Sequence, residues 1–317
     1  MLIAAACMSP RRSIPGGPML TGVRFPSQEI GSDRAVVRDW ALQAADVGFS
    51  YIVVNDHVVG VDPDSRPDYG AGFPAGAQRT ASAYSVNTEF HEPLTTIAHL
   101  SALCPDLGFS TGVLVCPQRQ TALVAKQAAQ VDILTGGRLR LGIGVGWNPV
   151  EYEAMGADFR TRGRRIEEQV SILRALWTRQ VIDVDGEFDR VVGVGLEPRP
   201  PQQPIPVWMG GWSDIVLDRI GRMADGWYHG REFEPDAPRK FEVIAASAER
   251  VGRLASDIGL EGAVELRYGL DGIENRAQKW AGAGATHLVV DPMHAGCHGS
   301  EHIDHLARIA ARLSVRG

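Results

Sequence analysis

The sequence predicts an α/β protein with the architecture of a (β/α)8 TIM barrel. Three observations predict it: strand-like and helix-like segments alternate, roughly eight such pairs fit into the chain, and no low-complexity linker divides them. The strand-like segments are short apolar or β-branched runs, which is typical of parallel strands buried on both faces. We therefore expect residues 19–317 to form a single barrel domain.

Each expected strand is followed by a segment with helical spacing. The expected strands lie at 20–25, 51–55, 107–115, 139–145, 205–209, 226–229, 263–267 and 287–290. The expected helices lie at 33–47, 93–103, 120–134, 148–177, 238–254, 275–281 and 302–313, with one more ending near 224. Asp33 and Gly48 are typical start and stop residues of the first helix. In the helix at 148–177, the apolar residues that recur at helical spacing are Ile166, Val170, Leu173 and Trp177.

Two insertions interrupt this alternation. Residues 60–92 are rich in Gly, Pro, Asp and Ser and have no period, so we expect a long lid or substrate loop after the second strand. Residues 181–192 carry an Asp185-Gly186 turn between two β-type runs. This pattern predicts a hairpin before the fifth strand.

Composition limits the partners and the compartment. The formal net charge of −6 and the absence of Lys/Arg clusters argue against nucleic acid. No apolar run approaches the roughly 18 to 20 residues of a membrane span. The four cysteines have neither disulfide density nor a C-x-x-C spacing, which favours the cytoplasm. In residues 1–18 a short apolar run precedes the arginines, the reverse of a secretory signal, so we expect a disordered leader.

The fourth strand has one face with almost no side chains. Gly142, Gly144 and Gly146 stand at alternate positions, and glycines in a strand indicate close approach by a ligand or by another backbone. Asn148 is a typical helix cap, and Glu151 is placed to reach back to it as in a capping box. The strand therefore ends at a helix N-terminus, whose free N–H groups favour an anion.

In a barrel, the residues after each strand share one rim. By their own chemistry, two groups there suggest a site. His57 can give or take a proton near neutrality, although a histidine that only caps a strand end is the plainer interpretation. Gly210, Gly211 and Ser213 precede a helix and offer N–H groups and a hydroxyl to a phosphate, although Ser213 as a simple cap explains them nearly as well. The rim also contains Phe25-Pro26, Asp56, Cys116-Pro117, Trp147-Asn148, His229 and 291–294.

Three other sequence patterns do not predict a functional site. The spacing G-x-G-x-G at Gly142 differs from a dinucleotide-binding turn, and no acidic strand end follows at the required distance. The last loop contains residue types that bind zinc, but their spacing matches no common ligand pattern, so we expect a polar loop and no metal. The residues concerned are Asp291, His294, Cys297, His298 and His302. We interpret the arginines at 162–165 as a solvated helix face.

Several of these motifs together resemble the bacterial-luciferase-like flavin and deazaflavin oxidoreductases, and most closely the branch dependent on coenzyme F420. The resemblance extends from about residue 20 to about residue 227, and the last third carries little of it. The segments that carry it are Gly48-Phe49, Asp56-His57, 112–115, 142–148, 151–153, Phe159, Arg162, Arg165, Glu168, 173–177 and 206–211.

The resemblance implies a role for individual residues. His57 would lie beside the reacting carbon as proton donor or acceptor, and Asp56 would bind the edge of the deazaflavin ring. Gly112 and Val113 stand where the family often has a non-prolyl cis peptide behind the ring. The remaining cofactor contacts would be Val145, Gly146 and Trp147 at the ring, Met209 beside them, and Gly210, Gly211 and Ser213 at the phosphate.

One departure from the family pattern concerns the second proton. Some F420-using relatives have a catalytic glutamate directly after the fourth strand, where this chain has Trp147, and Glu151 follows further on. Which group moves that proton stays open.

The resulting hypothesis is an F420-dependent oxidoreductase acting on a small organic molecule. One alternative is an FMN-dependent two-component monooxygenase served by a flavin reductase. Others are a non-catalytic flavin-binding protein and a barrel enzyme with a metal in the last loop. The family resemblance also implies a homodimer.

Overall fold

The computed structural model describes residues 18–66, 84–313 and 315. The expected leader, apart from Pro18, and residues 67–83 of the expected lid lie outside the described residues.

The strands follow the expected order along the chain. They are β1 Leu20–Arg24, β2 Tyr51–Val54, β3 Gly108–Thr111, β4 Leu114–Val115, β5 Leu139–Gly144, β6 Ile182–Asp185, β7 Arg190–Val194, β8 Val207–Gly210, β9 Gly226–Tyr228, β10 Gly259–Glu265 and β11 His287–Asp291. All strands except β6 and β7 belong to one parallel sheet in the order β3-β2-β1-β11-β10-β9-β8-β5-β4. Pairing of β3 with β5 closes this sheet into a barrel, which confirms the predicted fold.

Helices surround the barrel. They are α1 Arg34–Asp46, α2 Pro93–Leu103, α3 Thr121–Leu134, α4 Pro149–Ala154, α5 Arg162–Thr178, α6 Asp214–Met223, α7 Ala237–Arg250, α8 Ile273–Gly282 and α9 Glu301–Leu313. Asp33 caps α1 by accepting a hydrogen bond from the N–H of Ala35, 2.8 Å away. Within the described residues, no helix combines the length and the apolar character needed to cross a membrane.

The predicted hairpin is confirmed, since β6 and β7 pair antiparallel before β8. Its turn is attached to α5 because Glu168 accepts hydrogen bonds from three consecutive backbone N–H groups of the turn. These groups belong to Glu187, Phe188 and Asp189. The insertion is therefore held against the helix that precedes it.

Three expected elements differ in the structure. The helix expected at 148–177 is two helices, because the chain turns at Gly156, whose φ is +69°. The third strand is interrupted between β3 and β4 at Gly112 and Val113. The seventh barrel strand, expected at 263–267, is Gly259–Glu265 instead.

Two glycines explain the error in the seventh strand. A Cβ atom on Gly259 would lie 2.4 Å from the Trp208 ring, and one on Gly262 would lie 2.1 Å from the Trp280 ring. The strand therefore needs glycine on both faces to accommodate indole rings, and this composition conceals its β character.

The inside of the barrel is filled by alternate residues of the strands. An apolar layer consists of Tyr51, Val53, Tyr228, Ala263 and Val289. At the N-terminal end of the strands, Arg140 forms an ion pair with Glu261. The Arg140 guanidinium lies 4.8 Å from the centre of the Tyr51 ring and 4.4 Å from that of Trp208. This end, which we call the base, is therefore closed by packed side chains.

Candidate active site

The glycine-rich face of β5 is covered by the protein itself. A Cβ atom on Gly142 would lie 2.0 Å from the carbonyl oxygen of Thr111, and one on Gly144 would lie 2.5 Å from Val113 Cγ2. The sequence left two occupants open for this face, a ligand or another backbone. The backbone at Thr111 and the side chain of Val113 occupy it, so a flat ligand does not have direct access to these glycines. The surface available at this position is Val113.

Val113 occupies the C-terminal end of the barrel, which we call the mouth. The peptide bond between Gly112 and Val113 is cis, as the family resemblance implies. The Val113 side chain lies between β5 and β8, because a Cβ atom on Gly210 would be 3.1 Å from Val113 Cγ1. A Cβ atom on Gly112 would meet the Tyr228 hydroxyl at 2.6 Å. Valine and tyrosine therefore form an apolar bulge at the centre of the mouth.

Asp56 is buried behind the mouth. Its Oδ2 accepts a hydrogen bond from the Val115 N–H at 2.8 Å, and its Oδ1 accepts one from Arg119 Nη2 at 2.7 Å. Burial raises the pKa of Asp56, while Arg119 and the Val115 N–H oppose that rise. Because the carboxylate is fully buried, it does not fit the expected contact with a ring edge. Its contacts hold β4 and the turn after it in place.

His57 forms a pair with Glu151 beside the mouth. His57 Nδ1 lies 3.2 Å from Glu151 Oε2, and the His57 side chain is 16 % exposed. Glu151 Oε1 accepts a hydrogen bond from the Val58 N–H. The glutamate is 1 % exposed. Its carboxylate thus reaches across to the segment after β2, not back to its own helix start as the capping box predicted.

Helix α4 places Glu151. Asn148 caps this helix by accepting a hydrogen bond from the Val150 N–H at 3.0 Å, as expected for a cap. The Tyr152 hydroxyl donates to the Val145 carbonyl at 2.7 Å, so the helix is attached to the end of the strand. Both contacts fix the direction in which Glu151 leaves the helix.

Aromatic rings surround His57. Its ring centre lies 4.4 Å from that of Tyr84, 4.8 Å from that of Phe90 and 5.6 Å from that of Trp147. The Tyr84 hydroxyl donates to the Val59 carbonyl at 2.7 Å, which holds this part of the expected lid over the histidine. The imidazole therefore lies in a largely apolar, partly enclosed setting.

The turn after β5 brings Trp147 to this cluster. Gly146 has φ +65°, and a Cβ atom on it would lie 2.6 Å from Val115 Cγ1. The left-handed conformation and the close approach both require glycine here. Val145 is half-buried against the core. Of the three residues expected at a ring, Trp147 contacts the His57 group directly.

The residues expected at a phosphate lie at the ends of β8 and α6. Gly211 has φ +140°, and its carbonyl accepts a hydrogen bond from Trp227 Nε1 at 2.9 Å. Ser213 is exposed and precedes α6, but its hydroxyl makes no capping hydrogen bond to the helix. Met209, by contrast, is 1 % exposed and belongs to the core outside the barrel, so it does not face the mouth.

The mouth contains an ion pair that the sequence did not reveal. Arg24 Nη1 contacts Asp291, while Arg24 Nη2 donates to the Tyr228 hydroxyl at 2.9 Å and to the Gly230 carbonyl at 3.3 Å. Burial lowers the pKa of Arg24, but Asp291, Tyr228 and Glu265 together outweigh it and the net shift is upward. The only sequence signal was a charged residue at the end of each of two apolar strands.

His229, expected on the rim, lies outside the barrel wall. It is fully buried, with its ring centre 5.0 Å from that of Trp227 and 4.7 Å from that of Trp280. Burial lowers the pKa of His229 to about 4. The imidazole is thus neutral and packs as part of the core.

Side chains of the last loop contact one another and Glu29. His302 Nε2 lies 3.2 Å and His294 Nδ1 3.4 Å from the Glu29 carboxylate, and Cys297 Sγ lies 3.2 Å from His305 Nδ1. Within residues 18–66 and 84–313, no group of three or more His, Cys, Asp or Glu side chains is arranged so that it could hold a metal ion. These contacts tie the loop after β11 to the loop after β1.

The structure combines a closed parallel barrel with a His57–Glu151 pair at its mouth. Comparison with known proteins identifies the family: residues 19–282 match the luciferase-like monooxygenase family, to which the chain belongs. The chain is 32 % identical over 275 residues to an uncharacterised protein of Mycobacterium bovis, with 84 % of this chain and 88 % of the relative covered.

Two further relatives carry functional names. An F420-dependent glucose-6-phosphate dehydrogenase of Nocardia farcinica is 28 % identical over 219 residues, which cover 64 % of this chain and 65 % of the relative. An FMNH2-dependent dimethylsulfone monooxygenase of Pseudomonas putida is 33 % identical over 154 residues, which cover 47 % of this chain and 42 % of the relative. The family thus includes F420- and FMN-dependent enzymes.

A solved structure shows the same fold. The monooxygenase RslO1 of Streptomyces bottropensis superposes with a TM-score of 0.71 at 16 % identity, covering 94 % of this chain and 98 % of that one.

Proposed function

We propose that this protein is an F420-dependent oxidoreductase that transfers a hydride between the deazaflavin and an organic substrate. The observation that carries the proposal is the His57 imidazole, held by Glu151 among aromatic rings at the mouth that also contains the Val113 bulge. On this proposal, the imidazole would act as proton donor or acceptor for a reaction at a flat ring lying on the apolar surface of Val113. The F420-dependent name of the Nocardia relative supports the same cofactor.

The residues at the mouth fit such a cofactor. Val113 offers an apolar surface for the ring, and Trp147 packs against His57. At the other end, Gly211 in its left-handed conformation and the uncapped Ser213 hydroxyl provide donors for a phosphate at the start of α6. When bound, the deazaflavin would supply the hydride chemistry, and the protein would supply position and electrostatics.

Cofactor titration tests the assignment. We expect purified protein to bind F420 more tightly than FMN, measured by fluorescence quenching or calorimetry. We expect His57→Gln to keep F420 binding within a few-fold but to lower turnover by about 100-fold or more, because general acid–base catalysis contributes that much. Tight FMN binding with no response to F420 would reject the deazaflavin. Bound F420 without turnover on any alcohol or carbonyl compound would favour a non-catalytic binding protein.

The second candidate is an FMN-dependent two-component monooxygenase. The name of the Pseudomonas relative favours it, and the phosphate donors of Gly211 and Ser213 suit FMN equally. Oxygen consumption with chemically reduced FMN, and its absence with reduced F420, would support this alternative and a partner flavin reductase. The homodimer implied by the resemblance remains a proposal, which light scattering of the purified protein would test.

A further inference from the structure

We infer that Glu151 is a positioning residue that fixes the tautomer of His57, with the hydrogen of the neutral imidazole on Nδ1 and a free lone pair on Nε2. The assignment of the tautomer rests only on contacts within the protein. Its consequence for turnover rests on the proposed function.

The hydrogen-bond chemistry of the pair defines the tautomer. An ionised carboxylate only accepts hydrogen bonds, so the 3.2 Å contact between Glu151 Oε2 and His57 Nδ1 requires the hydrogen to be on Nδ1. A neutral imidazole carries one N–H, and its other nitrogen then has a free lone pair. His57 Nε2 is therefore an acceptor in the neutral protein.

Two contacts hold Glu151 in the orientation in which its carboxylate accepts the hydrogen bond from His57. Its second oxygen accepts the Val58 N–H, and its helix is capped by Asn148. Within the described residues, the nearby charged groups are Asp56 and Arg119, which pair with each other at 2.7 Å. Because Arg119 is bound to Asp56, the Glu151 carboxylate is left to the His57 imidazole.

The surroundings of the imidazole strengthen this hydrogen bond. Tyr84, Phe90 and Trp147 pack around the ring, so the contact with Glu151 lies in a largely apolar setting. A hydrogen bond to a charged group is stronger in such a setting than in water.

Nitrogen NMR of the ligand-free protein tests the tautomer directly. With ¹⁵N-labelled histidine, and with His57→Gln to assign its signals among the nine histidines, we expect protonated Nδ1 and unprotonated Nε2 above the titration of His57. Glu151→Gln keeps an oxygen for the Val58 N–H and turns its NH2 group toward Nδ1. That group donates, so we expect the hydrogen to move to Nε2.

Glu153→Gln is the matched control, because Glu153 lies on the same helix and pairs with Arg66 at the surface, 2.8 Å away. It should leave the His57 tautomer unchanged. A wild-type protein with the hydrogen on Nε2, or a Glu151→Gln variant with the wild-type tautomer, would overturn the inference. If Glu151→Gln does not fold, the wild-type spectrum decides alone.

Kinetics give a second test. If F420 binds and the protein turns over, we expect Glu151→Gln to lower kcat about 100-fold with KM changed less than a few-fold, because His57 then presents the wrong nitrogen to the substrate. An unchanged kcat would overturn the role of Glu151. If F420 does not bind while the NMR result stands, the proposed function fails and the role of Glu151 as a positioning residue survives.

Discussion

The two ends of the barrel each contain an arginine paired with a carboxylate, yet their surroundings differ. At the base, Arg140 lies between the Tyr51 and Trp208 rings, and its partner Glu261 is fully buried. At the mouth, Arg24 pairs with Asp291 and also binds Gly230 in the loop after β9.

The difference shows that a buried charge does not by itself mark a functional site. The base pair is enclosed by rings and closes the barrel. The mouth pair connects the ends of β1 and β11 to Tyr228 and to the loop after β9. The two pairs have the same chemistry. They differ in position, because Arg140 lies at the N-terminal ends of the strands and Arg24 at the C-terminal ends, where barrel enzymes have their active sites.

Removal of the base arginine should have the largest effect. Arg140→Met leaves the Glu261 carboxylate buried without its partner, and we expect the free energy of unfolding to fall by about 3–5 kcal/mol. Urea denaturation followed by circular dichroism measures it. Arg140→Met combined with Glu261→Leu should regain most of that loss, because two apolar residues bury no charge. A single variant as stable as the wild type would contradict the structural role of the base pair.

Breaking the Arg24–Asp291 pair should lower the free energy of unfolding less than removing Arg140 does. Asp291→Asn keeps an oxygen for the Met293 N–H, and Arg24 keeps the Tyr228 hydroxyl and the Gly230 carbonyl as acceptors. We expect a loss of about 2 kcal/mol in the same denaturation assay. F420 affinity should also fall several-fold, whereas the double variant at the base should bind F420 as the wild type does. Equal effects on binding from both ends would remove the distinction.

The base should also govern stability in mild acid. Burial, with a further contribution from Arg140, lowers the pKa of His287 well below its ordinary value of 6.5. The folded state therefore favours the neutral imidazole, and the stabilisation present above pH 6.5 is lost as the pH falls toward the lowered pKa. We expect His287→Leu to flatten the decline in unfolding free energy between about pH 6.5 and 5. An unchanged slope would show that the pKa of His287 does not differ between the folded and unfolded states.

The smallest effect should come from the exposed hairpin. Arg190 pairs with Asp185 at 2.6 Å, but the two side chains are 70 % and 66 % exposed. Arg190→Ala should change the free energy of unfolding by less than about 0.5 kcal/mol, because solvent and salt screen such pairs. This variant is the reference for the buried pairs, and a loss near that of Arg140→Met would discredit the assay.

The barrel was predictable because apolar strands and amphipathic helices leave periodic patterns in the sequence. The strand Gly259–Glu265 was placed wrongly because its glycines and acidic residues suit only the packed interior, where Trp208, Trp280 and Arg140 compensate for them. These contacts come from other parts of the chain, so the sequence of the strand itself does not show them.

The site was predictable only in part for the same reason. The resemblance implied the cis peptide at Gly112 and Val113, and the structure confirms it. The resemblance implied that Asp56 binds the cofactor. The sequence does not show that this carboxylate is already bound to Arg119, which lies 63 residues away. Glu151 was interpreted as a helix cap because its spacing fits one, whereas its contact with His57 spans 94 residues.

The packed base makes the barrel a cup with a single opening. Trp208, supported by Gly226 and Gly259 on neighbouring strands, fills the space through which a molecule could otherwise leave at the other end. Within the described residues, a compound that reaches Val113 through the barrel must therefore enter from the mouth. We expect two compounds that react at the mouth to use the same entrance, so that the deeper one binds first and steady-state kinetics show an ordered sequence.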